Sequence, residues 1–428
     1  MKEKIMSFFR KAGLKNIAIL SSGVFLAQVI NFLVQPIAAR LFEKSDFGIM
    51  TLITSLVSMF SPLATLQYHM SIVNASDDEE ADAVTKLSFS ILAVASVIFA
   101  VGLIVYNCVF PDAYATAGYW IYFSILFFIL SGLVNIIESY NNRYKEYKVM
   151  SVRALYRAVI AGAIKLITGF LSVGFPGLVV AQLAGTICGL KKQATRLIQN
   201  RHQVMAVTKE KLVAVAKKHS RQPLFSLPGI FISGFAYSVL PSFINPLYGL
   251  EELGIYSLSM NMLGLPLTLV TNNVARVFFQ NASTEKAKTG KFDVSFKNTS
   301  LLLIAISVVG FTILWFIAEP AFKLVFGAEW EKSGTYTKLL IPLYSVRFVV
   351  SALMYGFIIS GKQLLKCILQ CLFLIEAFVI YGLAQAYNFT IETFLSSISW
   401  VYAANYLILF VVLYFTSRKQ EPVEHTKA

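Results

Sequence analysis

Runs of mostly apolar residues, each about twenty long, recur from one end of this sequence to the other, more than a soluble fold can bury. Of its 428 residues, 57% are hydrophobic and 14% charged, with a mean hydropathy of +0.66. An ordinary globular domain is about 25% charged. Lipid is therefore the expected solvent, and the chain reads as an all-α integral membrane protein. The 14% aromatic content suits lipid-facing surfaces and interfacial belts.

The expected spans run from Asn16 to Ala39, Phe47 to Tyr68, Leu87 to Phe110, Tyr119 to Ile137, Ala158 to Val173 and Phe175 to Leu190. After a polar stretch come Leu224 to Ile244, Leu253 to Val274, Leu301 to Ala318, Leu339 to Ile359, Leu364 to Ala386 and Phe394 to Phe415. That makes about 12 transmembrane helices. The first span reads as retained, since Lys2, Lys4, Arg10, Lys11 and Lys15 precede an apolar run long enough to cross by itself. Placing the N-terminus inside leaves Arg40, Lys44, Lys323, Lys332 and Lys338 on the outer loops and most other cations within. Both termini are thus expected to be cytoplasmic, in a cytoplasmic membrane. Cys108, Cys188, Cys367 and Cys371 lie in or beside apolar segments; they read as packing residues, and no disulfide or metal framework is expected.

A basic cytoplasmic linker, residues 191–222, separates residues 1–190 from residues 223–415, with a cytoplasmic tail at 416–428. Across that divide the chain repeats. Leu41, Phe42, Asp46, Phe47, Gly48 and Ile49 align without gaps with Leu247, Tyr248, Glu252, Leu253, Gly254 and Ile255. An acid near the N-terminal end of a helix is favoured by the helix dipole, and the glycine permits close packing. Pro62-Leu-Ala-Thr-Leu66 is echoed by Pro266-Leu-Thr-Leu269, and Val109-Phe-Pro-Asp112 more loosely by Val325-Phe-Gly-Ala-Glu329. An even number of spans per repeat makes these parallel repeats, two six-helix bundles of the kind found in carriers.

The stretch Ala39-Arg-Leu-Phe-Glu-Lys-Ser-Asp-Phe-Gly-Ile49, the stretch Phe326-Gly-Ala-Glu-Trp330 and the Gly361-Lys362 pair carry a resemblance to a known family. The chain resembles the multidrug/oligosaccharidyl-lipid/polysaccharide flippase superfamily from Ile17 to about Tyr414. Within it, the chain is most similar to bacterial polysaccharide and O-antigen repeat-unit flippases. The resemblance implies two six-helix bundles in a V around a central cavity, in a bacterial cytoplasmic (inner) membrane.

Ionisable groups at membrane depth cost about 2.5–3.5 kcal/mol each on insertion scales, so they need a reason. At 100° per residue, Arg157, Lys165, Thr168 and Ser172 share one face of the fifth span. Arg347 shares its face with Tyr344, Ser351 and Tyr355, and in the first span Ser21, Gln28, Asn31 and Gln35 form a third polar face. The expectation is a wet cavity in which Lys165 and Arg347, with Arg157 and Arg40 towards its two mouths, hold an anion. Gln28, Asn31, Gln35, Thr168, Ser351 and Tyr355 would supply its hydrogen bonds. The plainer alternatives are snorkelling, interface anchoring (especially for Arg153, Arg157 and Arg40), or pairing of Arg347 with an internal acid such as Glu376. Glu138 and Glu376 are candidate coupling carboxylates.

A lipid-linked sugar donor carries a diphosphate between its polyprenyl chain and its glycan, and a cationic cavity suits it. The expected function is translocation of polyprenyl-diphosphate-linked oligosaccharide from the inner to the outer leaflet, for O-antigen (lipopolysaccharide), capsule or exopolysaccharide assembly. The expected partners are that substrate, membrane lipids, which the basic linker could contact, and other proteins of polysaccharide assembly; no nucleic acid is expected. No cofactor is implied. A cation-coupled multidrug antiporter is the alternative, and it predicts an acidic cavity. An enzyme of glycan assembly is disfavoured: no nucleotide-binding glycine-rich loop is present, and the outer loop from Glu319 to Lys338 is too short for a catalytic domain.

Overall fold

The structure, a computed structural model, describes residues 2–420, with side chains from 22 onward apart from those of 112, 113, 225 and 272. The side chains of Lys2 to Ser21 and the tail beyond Gln420, both placed inside by the sequence, lie outside the described residues. Every regular element among the described residues is helical. They fall into two compact units, one up to Ser242 and one from Phe243.

The first unit begins with α1 (Lys2–Leu41), α2 (Lys44–Phe60), α3 (His69–Asn74), α4 (Asp78–Val109), α5 (Phe123–Arg143), α6 (Tyr147–Phe170) and α7 (Phe175–Ile187). Local chemistry sets their ends. A capping box joins Glu43 and Asp46 at the start of α2. At α4 the Asp77 carboxylate accepts from the Glu80 N–H at 2.8 Å, with Asp78 and Glu79 in the positive first turn. Gly174 (φ 68, ψ −151) makes the turn between α6 and α7 in a conformation open essentially to glycine alone. Small residues then bring the helices together: Gly162 and Gly169 of α6 meet Val34 and Leu41 of α1, and Gly185 of α7 meets Ala161 of α6.

Beyond α7, the segment expected as a linker forms four short helices, α8 (Leu190–Gln193), α9 (Thr195–Gln199), α10 (Arg201–Ala206) and α11 (Lys209–Lys218). These pack onto the unit: Leu197, Val204, Val207 and Val215 are buried in one cluster with Ile72, Val84, Ile136 and Tyr140. The unit closes with α12 (Leu227–Ser238), whose Phe231 and Phe235 lie 6.4 and 6.2 Å from the Phe60 ring.

Next, α13 (Leu240–Pro266) crosses the boundary between the units and is broken at Gly249 (φ 89, ψ 173). The second unit continues with α14 (Asn272–Thr289), α15 (Asp293–Phe326), α16 (Glu331–Leu353), α17 (Gly356–Ile359), α18 (Gln363–Tyr387) and α19 (Ile391–Arg418). Among the described residues, 9 helical segments are long and apolar enough to cross a membrane. One of them, Leu227–Thr289, is 63 residues long, enough for two crossings. The fifth and sixth expected spans are missing from that set for identifiable reasons. Arg153, Arg157 and Lys165 charge α6, and α7 is only 13 residues.

The aromatic residue of the repeat motif meets a helix–helix turn in each unit, while its acid makes different contacts in the two. In the first, the Phe42 ring lies against Gly169 and Gly177, on either side of the α6–α7 turn, and Asp46 accepts from the Phe175 N–H. In the second, Tyr248 donates to the Phe389 carbonyl at 3.1 Å, in the α18–α19 turn, and Glu252 accepts from Lys332 and Tyr336. The proline echo is structural too. After Pro62 the helix gives way to an irregular passage with Leu66 and Gln67 at φ 47 and 64. After Pro266 a π-helical turn runs from Leu267 to Thr271.

His69, just past the second span, is buried with its Nδ1 2.6 Å from the Thr65 hydroxyl. Burial pushes the imidazole down to about 4 from 6.5. The folded protein holds it neutral while the unfolded chain protonates it below 6.5, so stability declines as pH falls from about 6.5 towards 4, by about 3 kcal/mol at most. His69→Gln flattens that part of a melting-temperature profile in detergent. An unchanged slope removes His69 as its cause.

Candidate functional site

The cations that sequence reasoning placed at membrane depth are held differently in the two units. In the first, Arg153, Arg157 and Lys165 lie along α6, the last two about 12 Å apart along the axis. Arg153 is buried, not the surface anchor that positive-inside logic suggested. Its guanidinium donates to Glu138 at 3.0 Å and to the Thr186 carbonyl at 3.1 Å, tying α6 to α5 and α7. Glu138→Gln leaves that buried cation without a counter-charge. Because the carboxylate is 44% exposed, the expected loss is discounted to about 1–2 kcal/mol, seen as a lower melting temperature. A melting temperature equal to wild type would count the pair as energetically silent.

Lys165 is half-buried within α6. Among the described residues its ammonium has no ion-pair or hydrogen-bond partner, and nor does the exposed Arg157 guanidinium. Thr168 is turned to other work: its hydroxyl donates to the Ile164 carbonyl at 2.8 Å, and its side chain fills the notch at Gly177 of α7. Ser172 falls past the end of α6 in a left-handed turn (φ 52), off the helical face that sequence spacing gave it. On α1, Asn31 and Arg40 are exposed and Gln28 and Gln35 half-buried.

In the second unit Arg347 of α16 is half-buried near three buried tyrosines. Its guanidinium lies 5.6 Å from the Tyr344 ring centroid, within electrostatic reach of the Tyr256 and Tyr402 hydroxyls. Tyr344 donates to the Met260 sulfur, and Tyr402 to the Phe373 carbonyl at 2.9 Å. Beyond Tyr402, Glu376 of α18 accepts from the Asn405 amide at 3.3 Å. Ser351 is half-buried, and the exposed Tyr355 ring packs 5.6 Å from Phe279. Tyr344 beside Arg347 is expected from helical spacing, whereas Asn405, Tyr256 and Tyr402 come from other helices and are not. A lone amide within the apolar α19 was the available signal.

Chemically, among the described residues the first unit offers two cations on α6 without an ion-pair partner, the half-buried Lys165 and the exposed Arg157, and the second a guanidinium beside aromatic hydroxyls. Among the described residues no group of three His, Cys, Asp or Glu side chains is placed to hold a metal.

Comparison with known proteins gives the family and the fold. Residues 37–335 match the family described as "Polysaccharide biosynthesis protein". No curated protein matches the sequence significantly. Solved structures share the fold at low identity. The inward closed lipid II flippase MurJ superposes with a TM-score of 0.75 at 11% identity, covering 94% of this chain and 88% of that one. An inward-facing multidrug resistance MATE family transporter of the MOP superfamily gives 0.61 at 15%, covering 93% of each. A Vibrio cholerae MATE transporter gives 0.57 at 12%, covering 96% and 97%. The chain is a multi-pass membrane protein with the all-helical fold of the MOP-superfamily transporters, and it belongs to the polysaccharide biosynthesis protein family.

Proposed function

We propose that this protein is a flippase carrying polyprenyl-diphosphate-linked oligosaccharide repeat units from the inner to the outer leaflet of the cytoplasmic membrane, with both termini cytoplasmic. The observation that carries the reading is Lys165, a half-buried ammonium without a partner among the described residues. A structural lysine at that depth would be paired or snorkelled; an anionic ligand gives it a role. Arg347, with hydroxyl-bearing neighbours, supplies a second cation. Outward movement of an anion is favoured by an inside-negative potential, by about 2.3 kcal/mol per charge per 100 mV, so no coupling ion is required. Glu138, committed to Arg153, is the weaker coupling candidate, and Glu376 the stronger. O-antigen, capsule and exopolysaccharide units all fit this chemistry.

The test is expression in a strain lacking its own surface-polysaccharide flippase, with lipid-linked repeat units followed by an impermeant glycan probe. Restored outer-leaflet exposure supports the reading. No exposure in the wild type, with a matched polysaccharide pathway supplied, sinks it and brings drug-efflux assays forward.

A further inference from the structure

The acidic run at the head of α4 and the basic segment before α12 meet each other. Glu80 is buried, and its carboxylate accepts from the Ser76 N–H at 3.0 Å, from Lys218 at 2.8 Å and from the His219 Nε2 at 2.6 Å. About two turns of α11 earlier, Lys211 pairs with Glu79. Tyr68 adds a hydrogen bond of 3.0 Å to the Ala216 carbonyl. These cations are therefore engaged by protein carboxylates, which leaves fewer of the segment's charges for lipid headgroups.

α11 needs such a hold. It has 10 residues, too few for a stable isolated helix, and only Val215 along it is buried. The Lys211–Glu79 pair is solvent-exposed, 52% and 71%, and worth little. Glu80 is different: itself buried, it gathers three donor residues into one site, and removing it would take the acceptor from the largely buried His219 and the counter-charge from the more exposed Lys218. His219 also lies only a short way before α12, so whatever fixes it fixes the entry to the seventh span.

We infer that Glu80, Lys218 and His219 form a charge latch that docks α11 on the first unit, anchors the start of α12, and opens when the seventh span moves. The docking does not depend on what the protein transports; the opening rests on the flippase reading.

Two experiments on the full chain in nanodiscs test it. The first is limited trypsin digestion, following cuts between Lys209 and Arg221. Glu80→Gln is expected to speed cleavage there at least tenfold with unchanged helical circular dichroism, and His219→Gln to give an intermediate rate. Rates within twofold of wild type for both variants would show that α11 is held without the latch. In the second, Glu79→Cys and Lys211→Cys are bridged by a short bis-methanethiosulfonate in a background without the four native cysteines. Glycan exposure is expected to fall at least tenfold and to recover on reduction. A bridged protein that transports as fast as its reduced form overturns the opening step. Absence of transport in the unbridged wild type is instead a failure of the flippase reading, and the digestion alone then decides the latch.

Discussion

Lys165→Met leaves the protein folded, and as heat-resistant as wild type or more so, while exposure of lipid-linked repeat units falls by roughly 10- to 100-fold. The two signs follow from the same observation. An ammonium at membrane depth costs about 2.5–3.5 kcal/mol on insertion scales, and here no partner among the described residues offsets it. Methionine keeps much of the length and removes the charge, so the folded state loses nothing. A charge-assisted hydrogen bond to a phosphate oxygen contributes about 1.5–3 kcal/mol, and its loss accounts for the expected drop. Lys165→Arg retains the charge with a different reach and is expected to keep most of the activity. Glycan exposure at the wild-type rate in Lys165→Met would remove Lys165 from the site. A melting temperature that collapses with transport would make it a structural residue.

Arg347→Ala does not offer so clean a separation, because Arg347 is packed over the Tyr344 ring. Its removal disturbs the Tyr256–Tyr344–Tyr402 cluster as well as any ligand contact. The same transport assay therefore has to be read beside a melting curve for that variant.

The span pattern was legible because the solvent of each residue writes directly into its hydropathy. The repeat was legible because one docking recurs: Phe42 packs at the α6–α7 turn and Tyr248 bonds into the α18–α19 turn, although Asp46 holds the start of α7 whereas Glu252 ties to Lys332 and Tyr336 of α16. What escaped depends on partners distant in sequence. The segment 191–222 has the composition of a solvated linker, and only the fold brings its Lys218 and His219 to Glu80. Arg153 sits where positive-inside logic expects an anchor, yet its guanidinium is buried on Glu138 and Thr186. Helical periodicity put Ser172 with Lys165, but α6 ends before it. A face computed at 100° per residue holds only while the helix does.

Gly334 marks a close approach of helix backbones in the second unit, and a methyl group there has nowhere to go. A Cβ at Gly334 would stand 2.6 Å from the Glu319 Cα, 2.8 Å from its nitrogen and 2.9 Å from the Ala318 carbonyl oxygen. All three are backbone atoms of α15, so no side-chain rotation relieves the clash. The other side of α16 is closed as well: Ser259 donates to the Ser333 carbonyl at 2.7 Å, and Ser333 to the Ile255 carbonyl at 3.1 Å, fixing α16 against α13. Moving α16 away from α15 would therefore break buried hydrogen bonds. Overpacking of this kind costs about 1–3 kcal/mol, so Gly334→Ala lowers the melting temperature in detergent and Gly334→Val lowers it further. Gly310, also in α15, has no atom within 4 Å of its virtual Cβ. Gly310→Ala adds helix propensity of up to about 1 kcal/mol and serves as the matched control. Equal melting temperatures for Gly334→Ala and Gly310→Ala would mean that α15 and α16 can separate freely. Small residues would then not set their crossing in this bundle.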